Sequence, residues 1–395
     1  MNKKIKLGYD DVSIVPEPIS RIRHRRECFC YHPENLSLPI FAAPMDGVVD
    51  EESANIFMDN DINVVIPRTL PLDKRLRLLM KNYDASMMFI ALSLTEAQEI
   101  FLTPLNDYDP TVFLQKPVSK ESIRQNLNSE LFSGSYRICI DIANGHMVDL
   151  LDTIKAIKDT YGSKVIVMSG NIANPETYRK YVEVGCDFVR CSIGSGSRCT
   201  TSSNVAIHYG CFSLLREIWE IKEDMRATCK IIADGGIKGY GDIQKALLYA
   251  DYVMIGGLFN KAIDSGGTPV YGRFYWDFFG EKILNPFKTF LYYGKKVKKK
   301  DYERVLRLIK EGKVDVWKEY YGMSTKIAQA KINPNGVLKT GEGKAERQKV
   351  EYSIRQWASN EGDFLRSAMS YTNSKSLEEY KDSNWVQLVY KSYNK

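Results

Sequence analysis

The sequence predicts an α/β protein of the (β/α)8, or TIM-barrel, class. Three observations predict it. Short apolar runs rich in β-branched residues recur along the chain, segments of helical period separate them, and eight such runs can be counted. Eight parallel strands are the number that closes such a barrel.

The runs are LPIFAAPM (38–45), NVVIPR (63–68), MMFIALS (87–93), RICIDIA (137–143), KVIVMSG (164–170), FVRCSIG (188–194), KIIADGG (230–236) and YVMIGGL (252–258). Between them, VDLLDTIKAIKDTYG (148–162) has apolar residues at helical spacing and stops at a glycine, and PETYRKYVEVG and DIQKALLYA behave alike. Polar or glycine residues end nearly every run. In a barrel that end carries the chemistry, on the loops from strand to helix.

The whole of 1–395 is expected to form one barrel domain, with two stretches outside the repeat. Residues 94–130 read as an insertion in the third strand-to-helix loop. Residues 268–320 form a longer excursion after the eighth strand, with the aromatic segment YGRFYWDFF and the basic run KKVKKKD at 295–301. That run reads first as a solvated surface loop, with an anion or partner site as the alternative.

Composition narrows the function class. The 395 residues are 44% hydrophobic and 26% charged, ordinary for a chain with a large core. A net charge of +6 is too mild to argue for nucleic acid, and no window reaches the roughly 18 apolar residues of a membrane span. MNKKIKLGYDD lacks the apolar stretch of a signal peptide, so a cytoplasmic protein is expected. The eight cysteines form no CxxC pair and there are only four histidines, which argues against zinc and for free, mostly buried thiols.

One cysteine has unusual surroundings. The sixth run leads into GSGSRCTT (194–201), where small residues let the backbone approach a ligand and a thiol and two hydroxyls follow. Such a loop can bind phosphate or a cation, and Cys199 is either a structural thiol or a nucleophile. ADGGIKGYGDI (233–243) and MIGGLF (254–259) add paired glycines at neighbouring strand ends, the usual phosphate site of barrels. Asp234 stands where it can accept from ribose hydroxyls. A nucleoside monophosphate would satisfy all of these groups.

Taken in order, YDDVSIVP, AAPMDG, DIANG (141–145), SGNI (169–172), GSGSRCTT, ADGGI with GDI, MIGGL, YYGMS (320–324) and GEGK (341–344) resemble the inosine monophosphate dehydrogenase and guanosine monophosphate reductase superfamily. The resemblance covers most of the chain. It implies that Cys199 attacks C2 of a purine to give a covalent thioimidate-type intermediate, with Thr201 relaying a proton. Ser197, Gly235, Gly236, Gly256, Gly257 and Tyr321 would bind phosphate and Asp234 the ribose. Gly322, Met323, Ser324, Lys339, Gly341 and Gly343 would surround the base. Carbonyls of Gly194, Gly196 and Cys199 would hold a monovalent cation such as K+.

The reductase branch is the better match. The dehydrogenase activates water with an Arg-Tyr pair on a flap after YGM, and residues 325–341 contain neither residue. The reductase expels ammonia with a glutamate before Gly-Lys, a place taken here by Glu342. The expected reaction is NADPH-dependent conversion of GMP to IMP and ammonia, in purine salvage, by a homotetramer. The pair of CBS-type regulatory domains usual in dehydrogenases has no room in this chain. NADPH contacts would include Ser20, Arg68, Asp141, Ile142, Ala143 and Tyr371, Thr372, Asn373 and Ser374. Basic residues at 21, 23 and 25 are a possible 2′-phosphate site or a solvated segment. Ser195, Ser202 and Lys339 depart from the family's proline and two arginines, and Arg68 from its lysine. Oxidation of IMP, reduction of a deoxy or modified purine nucleotide, and nucleotide binding without catalysis are the alternatives.

Overall fold

The computed structural model describes residues 5–82, 86–103, 119–196, 199–278, 280–338, 340–341, 343–381 and the backbone of 386–388. A short strand, β1 (Val12–Ile14), precedes eight parallel strands: β2 (Ile40–Ala42), β3 (Asn63–Ile66), β4 (Met88–Leu92), β5 (Tyr136–Asp141), β6 (Val165–Ile172), β7 (Phe188–Cys191), β8 (Lys230–Asp234) and β9 (Tyr252–Ile255). They form a closed barrel in chain order, and Ile40 beside Val253 closes the ring. Each predicted apolar run contributes one barrel strand. Most strands are shorter than their runs because the carboxyl ends turn into loops. After β7, Ser192 has φ 123°, and after β8, Gly235 and Gly236 have φ 114° and 78°, which an extended strand cannot accommodate.

Alternation along each strand makes two cores. Ile138 and Ile140 of β5 face the helices, while Cys139 points into the barrel beside Phe41, Phe89, Met168 and Tyr252. The Phe41 and Phe89 rings meet edge to face at 5.6 Å. Each such phenyl ring contributes about 2–3 kcal/mol by leaving water. Seven cysteines are buried and all eight are free thiols, with Cys199 alone half-exposed.

The excursion after β9 is an ordered layer. It carries β10 (Val270–Phe278) and β11 (Glu281–Leu284), and then β12 (Val314–Tyr321) and β13 (Ala345–Lys349) extend it past residue 320. These pair antiparallel in the order β11-β10-β12-β13. Helices Pro286–Tyr292 and Tyr302–Lys310 connect β11 to β12, and a small core of Ile263, Tyr271, Phe274, Val305, Val314 and Val316 holds the layer together. The basic run is largely exposed, with Val297 buried and Lys299 paired to Glu52 on the barrel. The predicted insertion at 94–130 begins and ends in helices, Leu94–Phe101 and Lys120–Asn128. Its PLNDYDP motif lies outside the described residues. Helix Ile354–Tyr371 packs Trp357 against the barrel, and β14 (Val386–Leu388) pairs antiparallel with β1. Among the described residues no helix is long and apolar enough to cross a membrane.

Candidate active site

A cavity of about 690 Å³ opens at the carboxyl end of the barrel strands, and Cys199 lies in its wall. The loop after β7 places the thiol there. The Cys199 amide donates to the Gly196 carbonyl at 2.9 Å, tightening the turn, and the thiol donates to Thr201 Oγ1 at 3.1 Å. From the far end of the sequence, Gly343 forms an isolated antiparallel bridge with Cys199. Gly343 of GEGK is therefore brought against the loop. Glu342, Ser197 and Lys339 lie outside the described residues.

Charge in the site is locked by a side chain that sequence inspection passed over. Arg190, in β7, is buried and spans two strand ends: Nη1 reaches Asp141 Oδ1 at 2.6 Å and Nη2 reaches Asp234 Oδ2 at 2.8 Å. Burial disfavours its charge, but Asp234, together with Cys139 and Asp141, outweighs that and keeps the guanidinium well above its ordinary pKa. Asn171 Nδ2 also donates to Asp234 Oδ2, at 2.7 Å. Asp234 Oδ1 has no partner among the described residues and remains available to a ligand hydroxyl. An arginine inside the apolar run FVRCSIG was the available signal, because a charge on a barrel strand is buried only when paired.

The glycines behave as close-approach positions. A Cβ on Gly235 would lie 2.5 Å from Ser195 Oγ, at a φ that side chains rarely adopt. On Gly256 it would lie 2.6 Å from the Tyr320 hydroxyl and 3.0 Å from Met45 Sδ. Tyr320 thus stands over Gly256, one of the glycines expected to bind phosphate, a placement absent from the sequence-based set. Gly236 follows Gly235 in the loop, and Gly257 opens the short helix Gly257–Asn260.

Tyr321 points elsewhere. Its hydroxyl meets Asp46 Oδ2 at 2.5 Å and accepts from Lys331 Nζ at 2.9 Å, in a different cavity. Met323 and Ser324 do line the cavity of Cys199, with Gln329 and Ile332 from helix Lys326–Ile332. Thr325 caps that helix, its hydroxyl accepting from the Ala328 amide and donating to the Gly322 carbonyl, and Gly341 packs on the Ser324 carbonyl.

The expected cofactor residues fall into two groups. Arg68 and Ala143 line the cavity of Cys199. Arg68 donates to the Asp141 carbonyl at 3.0 Å, and the Ile142 carbonyl accepts from the Asn171 amide at 3.0 Å. Ser20 instead donates to the Ser370 carbonyl at 2.7 Å, and Asn373 accepts from the Arg21 amide at 2.8 Å. Thr372 and Ser374 are buried there with hydroxyls 3.0 Å apart, while Tyr371 is exposed. None of this second group lines the cavity. Gly194 and Gly196, of the expected cation loop, do line it. Among the described residues no three His, Cys, Asp or Glu side chains are grouped to hold a metal.

A loop thiol, glycines after two successive strands and the Asp234 carboxylate thus share one cavity at the mouth of the barrel. Residues 117–392 match the model of the IMP dehydrogenase / GMP reductase domain, and the chain belongs to that family. It is 31% identical over 278 residues to a protein named GMP reductase from Clostridium acetobutylicum, covering 69% of this chain and 76% of that one. It is 29% identical to GMP reductases of Staphylococcus carnosus and Bacillus licheniformis, covering 69% of this chain and 77% of each.

Proposed function

We propose that the protein is a GMP reductase that converts GMP, NADPH and two protons to IMP, NADP+ and ammonium, serving purine interconversion. The observation that carries this is the bridge between Cys199 and Gly343, which sets that glycine of GEGK beside a thiol already hydrogen-bonded to Thr201.

In this reading the Cys199 sulfur bonds to C2 of the purine and the bond from C2 to the exocyclic nitrogen breaks. Thr201 and Glu342 deliver the protons with which that nitrogen leaves as ammonia. When bound, NADPH would supply a hydride for C2, and Cys199 would then leave C2 as the thiolate. Asp234, oriented by Arg190 and Asn171, accepts from the ribose, and amides beside Gly235, Gly236, Gly256 and Gly257 face the phosphate. Arg68 and Ala143, beside Cys199 in one cavity, fit the nicotinamide half of the cofactor. Ser20 with the 371–374 segment forms a separate patch, which fits an assembly in which a second copy completes the site, as in the expected tetramer. Carbonyls of Gly194, Gly196 and Cys199 would hold a monovalent cation, whose fixed charge would order the loop.

The lack of an Arg-Tyr pair in 325–341 favours ammonia release over hydrolysis. Purified protein should consume NADPH, read at 340 nm, with GMP and produce IMP. Formation of NADH from IMP and NAD, with no NADPH loss on GMP, would overturn the proposal.

A further inference from the structure

A second cavity, of about 860 Å³, plays no part in that reaction. Its base is the face of the added sheet turned away from the small core. Strand alternation sends Asp315, Trp317, Glu319 and Tyr321 of β12 into it while Val314 and Val316 enter the small core. β13 sets Lys349 across from Trp317 and Arg347 across from Glu319, and β10 adds Tyr271, Arg273 and Tyr275. The barrel supplies the opposite wall, with Asp46 and Gly47 after β2 and Lys331 from helix Lys326–Ile332.

The charges in this cavity are unbalanced: Arg273, Lys296, Lys331, Arg347 and Lys349 face three carboxylates, while Lys318 turns its amine away to Ala262 and Ser265. The carboxylates are partly occupied. Asp315 accepts from Lys349 at 3.1 Å and from the Tyr275 hydroxyl at 2.9 Å, and Asp46 is taken by Lys331 and Tyr321. Arg273, Lys296 and Arg347 are in no ion pair among the described residues. A merely solvated basic face has no reason to be concave and lined by Tyr275, Tyr293, Trp317 and Tyr321. Aromatic planes give a flat ring a stacking surface, and arginine and lysine forks take phosphate oxygens. The volume lies within the roughly 300–1,000 Å³ of ligand cavities.

The two cavities share moving parts. Helix Lys326–Ile332 presents Lys331 to the sheet cavity and Gln329 and Ile332 to the cavity of Cys199. β12 ends with Tyr321 in the first and, two residues on, Met323 in the second. A phosphate that drew Lys331 away from Asp46 would act on the helix that lines the thiol's cavity.

We propose that the sheet cavity binds a nucleotide as an effector, its phosphates on Arg273, Lys296 and Arg347, its base against Trp317, and Lys331 exchanged from Asp46 to phosphate as the link to Cys199. The linkage requires the ligand to favour one position of helix Lys326–Ile332 over another.

The test is calorimetric titration of the full chain with ATP, GTP and inorganic pyrophosphate, with GMP at saturation, paired with the alkylation rate of Cys199 by iodoacetamide measured without GMP. Neither readout depends on turnover, so failure of the proposed reductase reaction is seen separately. One nucleotide should bind with a Kd below about 1 mM, and pyrophosphate, lacking a base, more weakly. Lys296→Gln with Arg347→Gln, both exposed and with unliganded melting expected to be unchanged, should weaken nucleotide binding about tenfold or more. Trp317→Leu should weaken nucleotide but not pyrophosphate. Bound nucleotide should change Cys199 alkylation about threefold in the parent and not in the double variant. No binding, or binding that the double variant leaves unchanged, overturns the site. An alkylation rate indifferent to bound nucleotide overturns the link.

Discussion

The two cavities are built on opposite principles. At the barrel mouth the lining is backbone and short side chains such as Gly194, Ser195, Gly196, Gly235 and Ala143, and its buried charge is fixed, with Arg190 shared between Asp141 and Asp234. In the added sheet the lining is long side chains on a cross-strand ladder, and its buried cation, Lys318, has only the carbonyls of Ala262 and Ser265 and the Ser265 hydroxyl around its nitrogen. Main-chain donors cannot be retuned without moving the fold, so the mouth suits a reaction that demands fixed geometry. Side-chain cations on a surface sheet can be exchanged singly, which suits recognition that changes from one protein to another.

The largest expected effect separates the two cavities by chemistry. Cys199→Ala should lower NADPH oxidation with GMP by about 10³-fold or more, since in the proposed reaction no other group forms the bond to C2. Binding of GMP, followed by calorimetry, should stay within a few-fold. A variant keeping a tenth of the parent rate would remove the thiol from the mechanism.

Arg190→Met tests the locked charge. It leaves Asp141 and Asp234 close together at the mouth without their shared cation, a change that costs about 3–5 kcal/mol for a buried pair broken on one side. Urea denaturation should report that loss, with a raised KM for the nucleotide because Asp234 loses its orientation. Unchanged stability would mean that water, rather than Arg190, compensates these carboxylates.

How much of this was legible beforehand follows the same division. Barrel strands are local apolar runs, so all eight could be read directly, and the glycine loops were visible because backbone approach demands glycine in the sequence itself. Cys199, Thr201, Asp234 and Gly235 meet at the mouth because each ends or follows a neighbouring strand. Arg190 was hidden inside a run scored as apolar, although a charge there had to be paired. Tyr320 and Tyr321 stand side by side in sequence, and only strand alternation decides which faces Gly256 and which faces Asp46. The sheet cavity could not be read at all. Lys349 meets Trp317, and Lys331 meets Asp46, across separations that no local pattern encodes.

The smallest effect belongs to the sheet's buried cation. Burial pulls the Lys318 pKa down to about 7, with the charges of Asp264 and Asp50 offsetting only part of it. Between pH 10.5 and pH 7 the unfolded chain takes up this proton and the folded chain does not, so wild-type stability falls as pH is lowered through that window. Below pH 7 both states carry the proton and the loss is complete. Lys318→Met removes the titration while leaving three buried acceptors short of a donor at every pH. The variant's stability relative to wild type should therefore improve on the order of 2 kcal/mol from pH 9 to pH 7 and stay level from pH 7 to pH 6. Urea midpoints at the three pH values measure it. A difference that does not move with pH would mean that Lys318 stays charged, held by its carbonyl ring as firmly as Arg190 is held by its carboxylates.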